Sequence, residues 1–312
     1  MRAIITGAGG FVGQELVRQL RAQGRFDRLV LLDARLPPGL AGPDAQLVEG
    51  DLSDPSIRAR ATGQGADVLF HLAGVMGGTA EQDPALSRRI NLDATLDLIE
   101  AVAAHGNVPR VVFTSTIAVF GAPLPDHVDD DTPLSPAMTY GAHKLMIEIA
   151  LADLTRRGTL DAVSVRLPGI LARPLGPSGM KSAFMSEVFH ALAAGQPFKV
   201  PVSREATIWA MSVERCAANL VHAAGLDGAV MPTTRAVTLP ALRLVFGEMV
   251  DAIVARTGAA PALVTYVPDA LLEAQFGRLP PLTAAASQAA GFAHDGSTDA
   301  FVAAALRGIG AP

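Results

Sequence analysis

The stretch Ala3-Ile4-Ile5-Thr6-Gly7-Ala8-Gly9-Gly10-Phe11-Val12-Gly13 decides the fold. Residues 3–5 read as a short buried strand, and apolar residues at helical spacing over 11–23 read as an amphipathic helix. Between them Gly7, Gly10 and Gly13 let the chain turn tightly and let a phosphate approach the backbone. The helix that starts at Phe11 and Val12 presents free N–H groups and its positive end to a pyrophosphate. Twenty residues after Gly13, Asp33 closes a second apolar strand over 28–32. A carboxylate there accepts hydrogen bonds from an adenosine ribose and repels a 2′-phosphate, so the nucleotide expected is NAD rather than NADP. Arg35 reads as a solvated loop charge.

Working outward, further strands are expected over 46–48, 68–71, 110–114 and 162–166, with helices over 85–104 and 139–156. Strand and helix in alternation predict an α/β fold, a Rossmann doubly wound parallel sheet. The expected division is an NAD-binding Rossmann domain over 1–167. A smaller C-terminal substrate-binding lobe follows over 168–312, with some segments returning to the Rossmann domain. Pro168 and Pro174 break the rhythm at the junction. In the lobe, helices are expected over 183–194, 213–225 and 239–257, and strands over 198–200 and 264–267.

Bulk properties exclude several classes of function. Of 312 residues, 50% are hydrophobic and 18% charged, which fits a globular chain and not a disordered one. The net charge is −5 and no basic run could track a phosphate backbone, so nucleic acid is not an expected partner. Cys216 is the only cysteine, which leaves no intrachain disulfide and no cysteine zinc cluster. The histidines and carboxylates show no ligand spacing, and no metal is expected. The chain opens with a strand and glycine turn rather than a basic-then-apolar leader, and has no long uncharged apolar run. No membrane association is expected, and the cytoplasm is the expected location.

Ligands in open α/β sheets bind at the carboxyl ends of the strands. Asp51-Leu52 follows the third strand and His71-Leu72-Ala73-Gly74 ends the fourth. Asp51 fits an adenine contact and fits a turn or helix cap equally well. Tyr140 and Lys144 stand four apart in a helical stretch, so both leave one face and address one ligand. A neighbouring ammonium favours the phenolate of a tyrosine and makes it a usable base. Thr116, after Phe113-Thr114-Ser115, is placed to bond the reacting substrate oxygen, and fits a strand-end cap as well.

These residues resemble the extended short-chain dehydrogenase/reductase family, the NAD-dependent epimerase/dehydratase group. The resemblance rests on Gly7-x-x-Gly10-x-x-Gly13, Asp33, His71-Leu72-Ala73-Gly74, Asn91 before Thr95, and Thr114-Ser115-Thr116 with Val119-Phe120-Gly121. Tyr140-x-x-x-Lys144 and Arg166-Leu167-Pro168-Gly169 complete it. It covers the first 170 residues. It implies that Thr116, Tyr140 and Lys144 are catalytic, that Asn91 lies near the cofactor along with Thr114, and that Pro168 to Ile170 border the nicotinamide. Thr116 stands where serine is common in the family, and Phe120 where tyrosine is frequent.

The sugar-nucleotide branch carries an Arg-Asp pair in its second lobe, where this chain has Ala206-Thr207-Ile208-Trp209-Ala210-Met211-Ser212-Val213. Without that positive charge a small substrate is favoured over a diphosphate. Arg173-Pro174, Ser182-Ala183-Phe184, Trp209 and Asn219-Leu220-Val221-His222 resemble a branch of the family that oxidises small sugar acids. That implies oxidation of a C2 hydroxyl beside a carboxylate to a 2-oxo acid. Arg173, Lys181 and Ser182 are candidates to hold the carboxylate, in a segment that also fits a connector with solvated charges. The loop Met76-Gly77-Gly78-Thr79 is a candidate source of backbone donors. A nucleotide-sugar epimerase or dehydratase, and a non-catalytic NAD sensor, remain as alternatives. Surplus apolar positions over 85–104 and 139–156 point to a partner surface, and the resemblance implies a homodimer through those helices.

Overall fold

The computed structural model describes residues 1–176 and 181–311. The chain runs through β1 (Arg2–Thr6), α1 (Phe11–Gln23), β2 (Arg28–Asp33), β3 (Ala45–Glu49), α2 (Pro55–Thr62) and β4 (Val68–His71). Next come α3 (Gly77–Gln82), α4 (Pro84–Ser87), α5 (Ala94–Ala103), β5 (Arg110–Thr116), α6 (Thr139–Arg156) and β6 (Asp161–Leu167). After β6 follow β7 (Gly169–Ile170), α7 (Phe184–Ala193), β8 (Phe198–Val200), β9 (Thr207–Met211), α8 (Val213–Gly225) and β10 (Ala236–Thr238). The last elements are β11 (Leu242–Val245), α9 (Phe246–Thr257), β12 (Val264–Tyr266), α10 (Ala270–Phe276), α11 (Ala285–Ala289) and α12 (Thr298–Gly308).

Seven parallel strands form one sheet in the order β10-β6-β5-β4-β1-β2-β3. The winding direction reverses between β1 and β4, so the loops leaving their carboxyl ends diverge and open a crevice. Successive side chains on a strand leave opposite faces, and both faces are covered. On one face Ile5, Leu31, Phe70 and Val165 pack with Leu16 and Leu20 of α1 and Cys216 and Leu220 of α8. On the other, Ile4, Val30, Leu69 and Val111 pack with Ile57 of α2, Leu98 of α5 and Ile147 and Leu151 of α6. Burial on both faces is why β2 reads as a continuous apolar run. Burial also pushes the Cys216 thiol up to about 12, leaving it a packing residue.

Beyond β6 the chain serves both layers. β10 returns to the edge of the large sheet, and α8 packs on α1. A three-stranded sheet β11-β9-β7 and the pair β12-β8 surround a separate core of Val188, Phe189, Ile208, Phe246, Ile253 and Phe301. No helix among the described residues is long and apolar enough to cross a membrane.

Two helical expectations are corrected. Residues 85–104 form α4, a wide π turn over Arg88–Asp93, and α5, not one regular helix. The wide turn carries Asn91, whose side chain bonds the backbone of Val75 as well as the Ser87 hydroxyl one turn earlier. Within 239–257 only α9 is helical, and Leu242–Val245 is a strand paired antiparallel to β9. There Leu244 is buried and Arg243 exposed, a period of two that cross-strand pairing imposes over the helical spacing of the apolar residues.

Phe70 is fully buried and meets Phe26 edge-on at 6.2 Å between ring centroids. Phe70→Ala is expected to cost about 3–5 kcal/mol. Leu271→Ala, at a side chain 72% exposed, is expected to change stability by less than about 0.5 kcal/mol. Urea melts of both variants check this, and equal midpoints would contradict the packing described.

Candidate functional site

The glycine loop sits at the crevice because its backbone touches the neighbouring strand end. Gly7 has φ of +70°, and a Cβ there would lie 2.8 Å from the Ala73 nitrogen. A Cβ on Gly13 would lie 2.1 Å from the Gly7 carbonyl oxygen, so neither position tolerates a side chain. Gly10 heads α1 with no side chain to cap it, and the helical ladder begins with Gln14 N–H donating to Gly10 at 3.0 Å. The N–H groups of Phe11, Val12 and Gly13 precede that ladder and point out of the helix end, the donors a pyrophosphate requires. Asp33, closing β2, accepts the Gly9 N–H through Oδ2 at 2.9 Å. With Gly9, Gly10, Arg35 and Pro37 it lines a cleft of about 490 Å³. A dinucleotide fits these residues: a side-chain-free loop, an uncapped helix end and a carboxylate at the ribose position. Asp51 is exposed and accepts the Ser53 N–H at 2.8 Å in a turn, while Leu52 is buried with Ile57.

Beneath the loop lies a buried hydrogen-bond chain. Ala73 N–H donates to Thr6 Oγ1 at 3.2 Å, and Thr6 Oγ1 lies 2.7 Å from His71 Nδ1. His71 Nε2 lies 2.9 Å from Thr95 Oγ1, which donates to the Ile90 carbonyl at 3.0 Å. Because Thr95 spends its proton on Ile90, it accepts from His71 Nε2–H, and Thr6 donates to Nδ1; this assigns the tautomer from the network. Burial first, and then the nearby Lys144 charge, hold His71 down to about 3, so the ring is neutral. Asn91 Oδ1 accepts the Val75 N–H at 2.7 Å and its Nδ2 donates to the Val75 carbonyl at 2.9 Å. That clamp fixes the chain just after Leu72-Ala73-Gly74, and a Cβ at Gly74 would lie 3.7 Å from Lys144 Nζ.

The end of β5 and the first turns of α6 form the opposite wall. Lys144 is 3% exposed, donates to the Thr114 carbonyl at 2.8 Å, and lies 4.6 Å from the Phe113 ring centroid and 5.8 Å from that of Tyr140. Burial lowers its ammonium to about 7 against the opposing pull of Glu148. Burial pushes the Tyr140 phenol up to about 12, with the Arg173 charge working the other way. Thr116 Oγ1 accepts the Ala118 N–H at 3.2 Å. Met76, Gly77, Thr116, Tyr140, Pro168, Arg173, Lys181 and Ser182 line one cleft of about 1640 Å³. Arg173 Nε donates to the Ile170 carbonyl at 2.8 Å, and burial lowers its guanidinium. Ile170 itself is buried in the core, its backbone paired with Met211. Between Arg173 and Lys181, residues 177–180 lie outside the described residues.

Sequence reading missed two carboxylates. Glu148, four residues after Lys144 on the same face, accepts the Ser115 hydroxyl and holds Arg166 in a buried pair at 2.8 Å. The Tyr140, Lys144, Glu148 spacing of one helical face carried that signal. Glu81 of α3 accepts the Thr139 N–H at 2.5 Å, capping the turn that carries Tyr140 from outside α6, and no local motif marks it.

Residues 3–212 match the model of the NAD dependent epimerase/dehydratase family. A relative named D-erythronate dehydrogenase, from Cupriavidus necator, is 37% identical, with 99% of each chain covered. Another of that name, from Haemophilus influenzae, is 33% identical over 80% of this chain and 81% of its own. Among solved structures, the nucleoside-diphosphate-sugar epimerase from Agrobacterium tumefaciens superposes with a TM-score of 0.90 at 32% identity. That superposition covers 100% of this chain and 95% of the other.

His71 gives a pH prediction with a definite sign. Its folded pKa of about 3 lies below the ordinary 6.5, so the unfolded chain binds the extra proton and stability falls as pH drops below 6.5 toward 3. Across that window the loss is on the order of 4 kcal/mol. The melting temperature of His71→Asn is expected to fall less steeply between those limits than that of the wild type. Parallel slopes would contradict the neutral, buried assignment.

Proposed function

The chain belongs to the NAD-dependent epimerase/dehydratase family, and on that premise we propose that it oxidises D-erythronate or a similar small aldonate at C2, giving the 2-oxo acid. It is an NAD-dependent dehydrogenase acting on a CH–OH group of a small molecule. The observation that carries the finer reading is the single cleft shared by Tyr140, Thr116 and Arg173, with Lys144 one turn below Tyr140. The name of its relatives supports the substrate class.

Bound NAD supplies the hydride acceptor. Gly7, Gly10, Phe11, Val12 and Gly13 hold its pyrophosphate and Asp33 its adenosine ribose, with Asp51 and Leu52 near the adenine. Leu72, Ala73, Gly74, Asn91, Thr114 and Pro168 flank the path to the nicotinamide, and Ile170 supports that path from the core. Lys144 holds the nicotinamide ribose hydroxyls, and Thr116 donates to the reacting substrate oxygen. Tyr140, as phenolate, takes the proton of the C2 hydroxyl. The Arg173 charge across the cleft favours that phenolate, and the Lys144 ammonium lies 5.8 Å from the ring centroid. Arg173, Lys181 and Ser182 hold the substrate carboxylate, and Met76 and Gly77 close the pocket beside Tyr140.

A second reading, nucleotide-sugar epimerisation, is favoured by the cleft's volume of about 1640 Å³, more than a four-carbon acid fills. The two differ in the fate of the cofactor. An epimerase retains NAD without net turnover, whereas a dehydrogenase accumulates NADH. The expected outcome is NADH formation with D-erythronate and none with a UDP-sugar, and Tyr140→Phe is expected to lose about a thousandfold or more in kcat. Epimerised UDP-sugar without NADH from any aldonate would replace the proposal with the second reading.

We further propose a homodimer through α5 and α6. Met146 and Ile149, 49% and 64% exposed, stand three apart on α6 on the side away from the sheet. Light scattering at micromolar concentration is expected to give twice the chain mass, and Ile149→Lys a monomer. A wild-type monomer would overturn the assembly.

A further inference from the structure

Glu148 is 3% exposed and joins three elements of the site. It stands on α6 two turns after Tyr140 and one after Lys144. Its Oε1 accepts the Ser115 hydroxyl of β5. Its carboxylate is gripped by Arg166 of β6, with Nε at 3.1 Å from Oε1 and Nη2 at 2.8 Å from Oε2. Arg166 in turn lies over the Phe120 ring at 5.8 Å. Ser115 is the residue between Thr114, whose carbonyl holds Lys144 Nζ at 2.8 Å, and Thr116, which lines the cleft.

We propose that Glu148 is a positioning residue for the reaction: through Ser115 it fixes the strand end that holds Lys144 and Thr116, and through its charge it keeps the Lys144 ammonium in place. This rests on the roles given above to Tyr140 and Lys144.

The geometry leaves little else for that carboxylate to do. A buried ion pair is weak evidence of stabilisation by itself, because desolvation offsets the attraction. Here the carboxylate also receives a bond from outside the ion pair, from the one residue flanked by both site contacts of β5. The charged and titratable groups facing Lys144 are Glu148 and Tyr140 on its own helix and His71 of β4; Arg166 of β6 faces Glu148. His71 is neutral and Tyr140 protonated in this structure, so Glu148 is the single negative charge acting on the ammonium among the described residues.

The test compares Glu148→Gln and Ser115→Ala with wild type and Tyr140→Phe, measuring kcat, KM for NAD, melting temperature and the pH profile of kcat/KM with D-erythronate. Glu148→Gln removes the charge and keeps the shape. It is expected to lower kcat about tenfold to a hundredfold, with a smaller, severalfold rise in KM for NAD because Lys144 also holds the nicotinamide ribose, and with the melting temperature little changed. The alkaline limb of the profile, where Lys144 loses its proton, is expected to move down by about one pH unit. Ser115→Ala keeps the ion pair and removes the link to β5, so kcat falls severalfold while the limb stays. If Glu148→Gln fails to fold, Ser115→Ala decides alone, and wild-type kcat in it overturns the proposal. An unmoved alkaline limb in a folded Glu148→Gln overturns it too, as does a loss of kcat, NAD binding and melting temperature in parallel at every pH. Activity retained in Tyr140→Phe would instead refute the reading of the site on which the proposal rests.

Discussion

The backbone of Gly7 and the backbone of Ala73 meet so closely that a methyl group cannot stand between them. That contact brings the ends of β1 and β4 together at the place where the sheet changes its winding direction. Everything at the site hangs from it. The close approach aims the open end of α1 across the crevice, and the Thr6, His71, Thr95 chain beneath it ties both strand ends to the start of α5. A charged imidazole would break that chain by losing its acceptor nitrogen, so the neutrality that burial imposes on His71 is part of the same constraint.

The opposite wall is governed by charge in a place that resists it. Lys144 is buried beside the Phe113 and Tyr140 rings and bonded to the Thr114 carbonyl; burial lowers its ammonium and Glu148 opposes that shift. Tyr140 is shielded enough to keep its proton in the unliganded protein, with Arg173 pulling the other way. A phenol held this way is a poor base until positive charge gathers around it, so the proposed proton transfer belongs to the occupied site. In the proposed reaction, carboxylate recognition by Arg173 and phenolate stabilisation by the same side chain draw on one charge, which would link substrate binding to the proton step.

Much of this was legible in the sequence where local rules and the tertiary structure agree. Gly7, Gly13 and Asp33 mark their own conformations and positions, and the Tyr140 and Lys144 spacing is a helical face. The parallel sheet followed from alternating apolar strands and amphipathic helices. Legibility failed where distant partners decide the outcome. Asn91 sits on a wide turn because Val75 draws its side chain outward, and residues 242–245 are a strand because β9 lies beside them. Glu81 caps α6 from another helix, a contact with no local spacing to betray it. Ile170 follows Pro168 in sequence but its side chain turns into the core, since the strand pairing with Met211 fixes its face. Asn219 and His222 bond the backbone of Ala293 and Ala290, long-range contacts in which those landmarks hold a loop.

The central claim is that hydride leaves the carbon bearing the C2 hydroxyl as Tyr140 takes its proton. Incubation with C2-deuterated D-erythronate and NAD, followed by NMR of the recovered cofactor, tests it most directly. The account predicts NADH carrying a single deuterium at the nicotinamide C4 on one face only. Unlabelled NADH, or deuterium retained in the organic product while the cofactor stays oxidised, would contradict it.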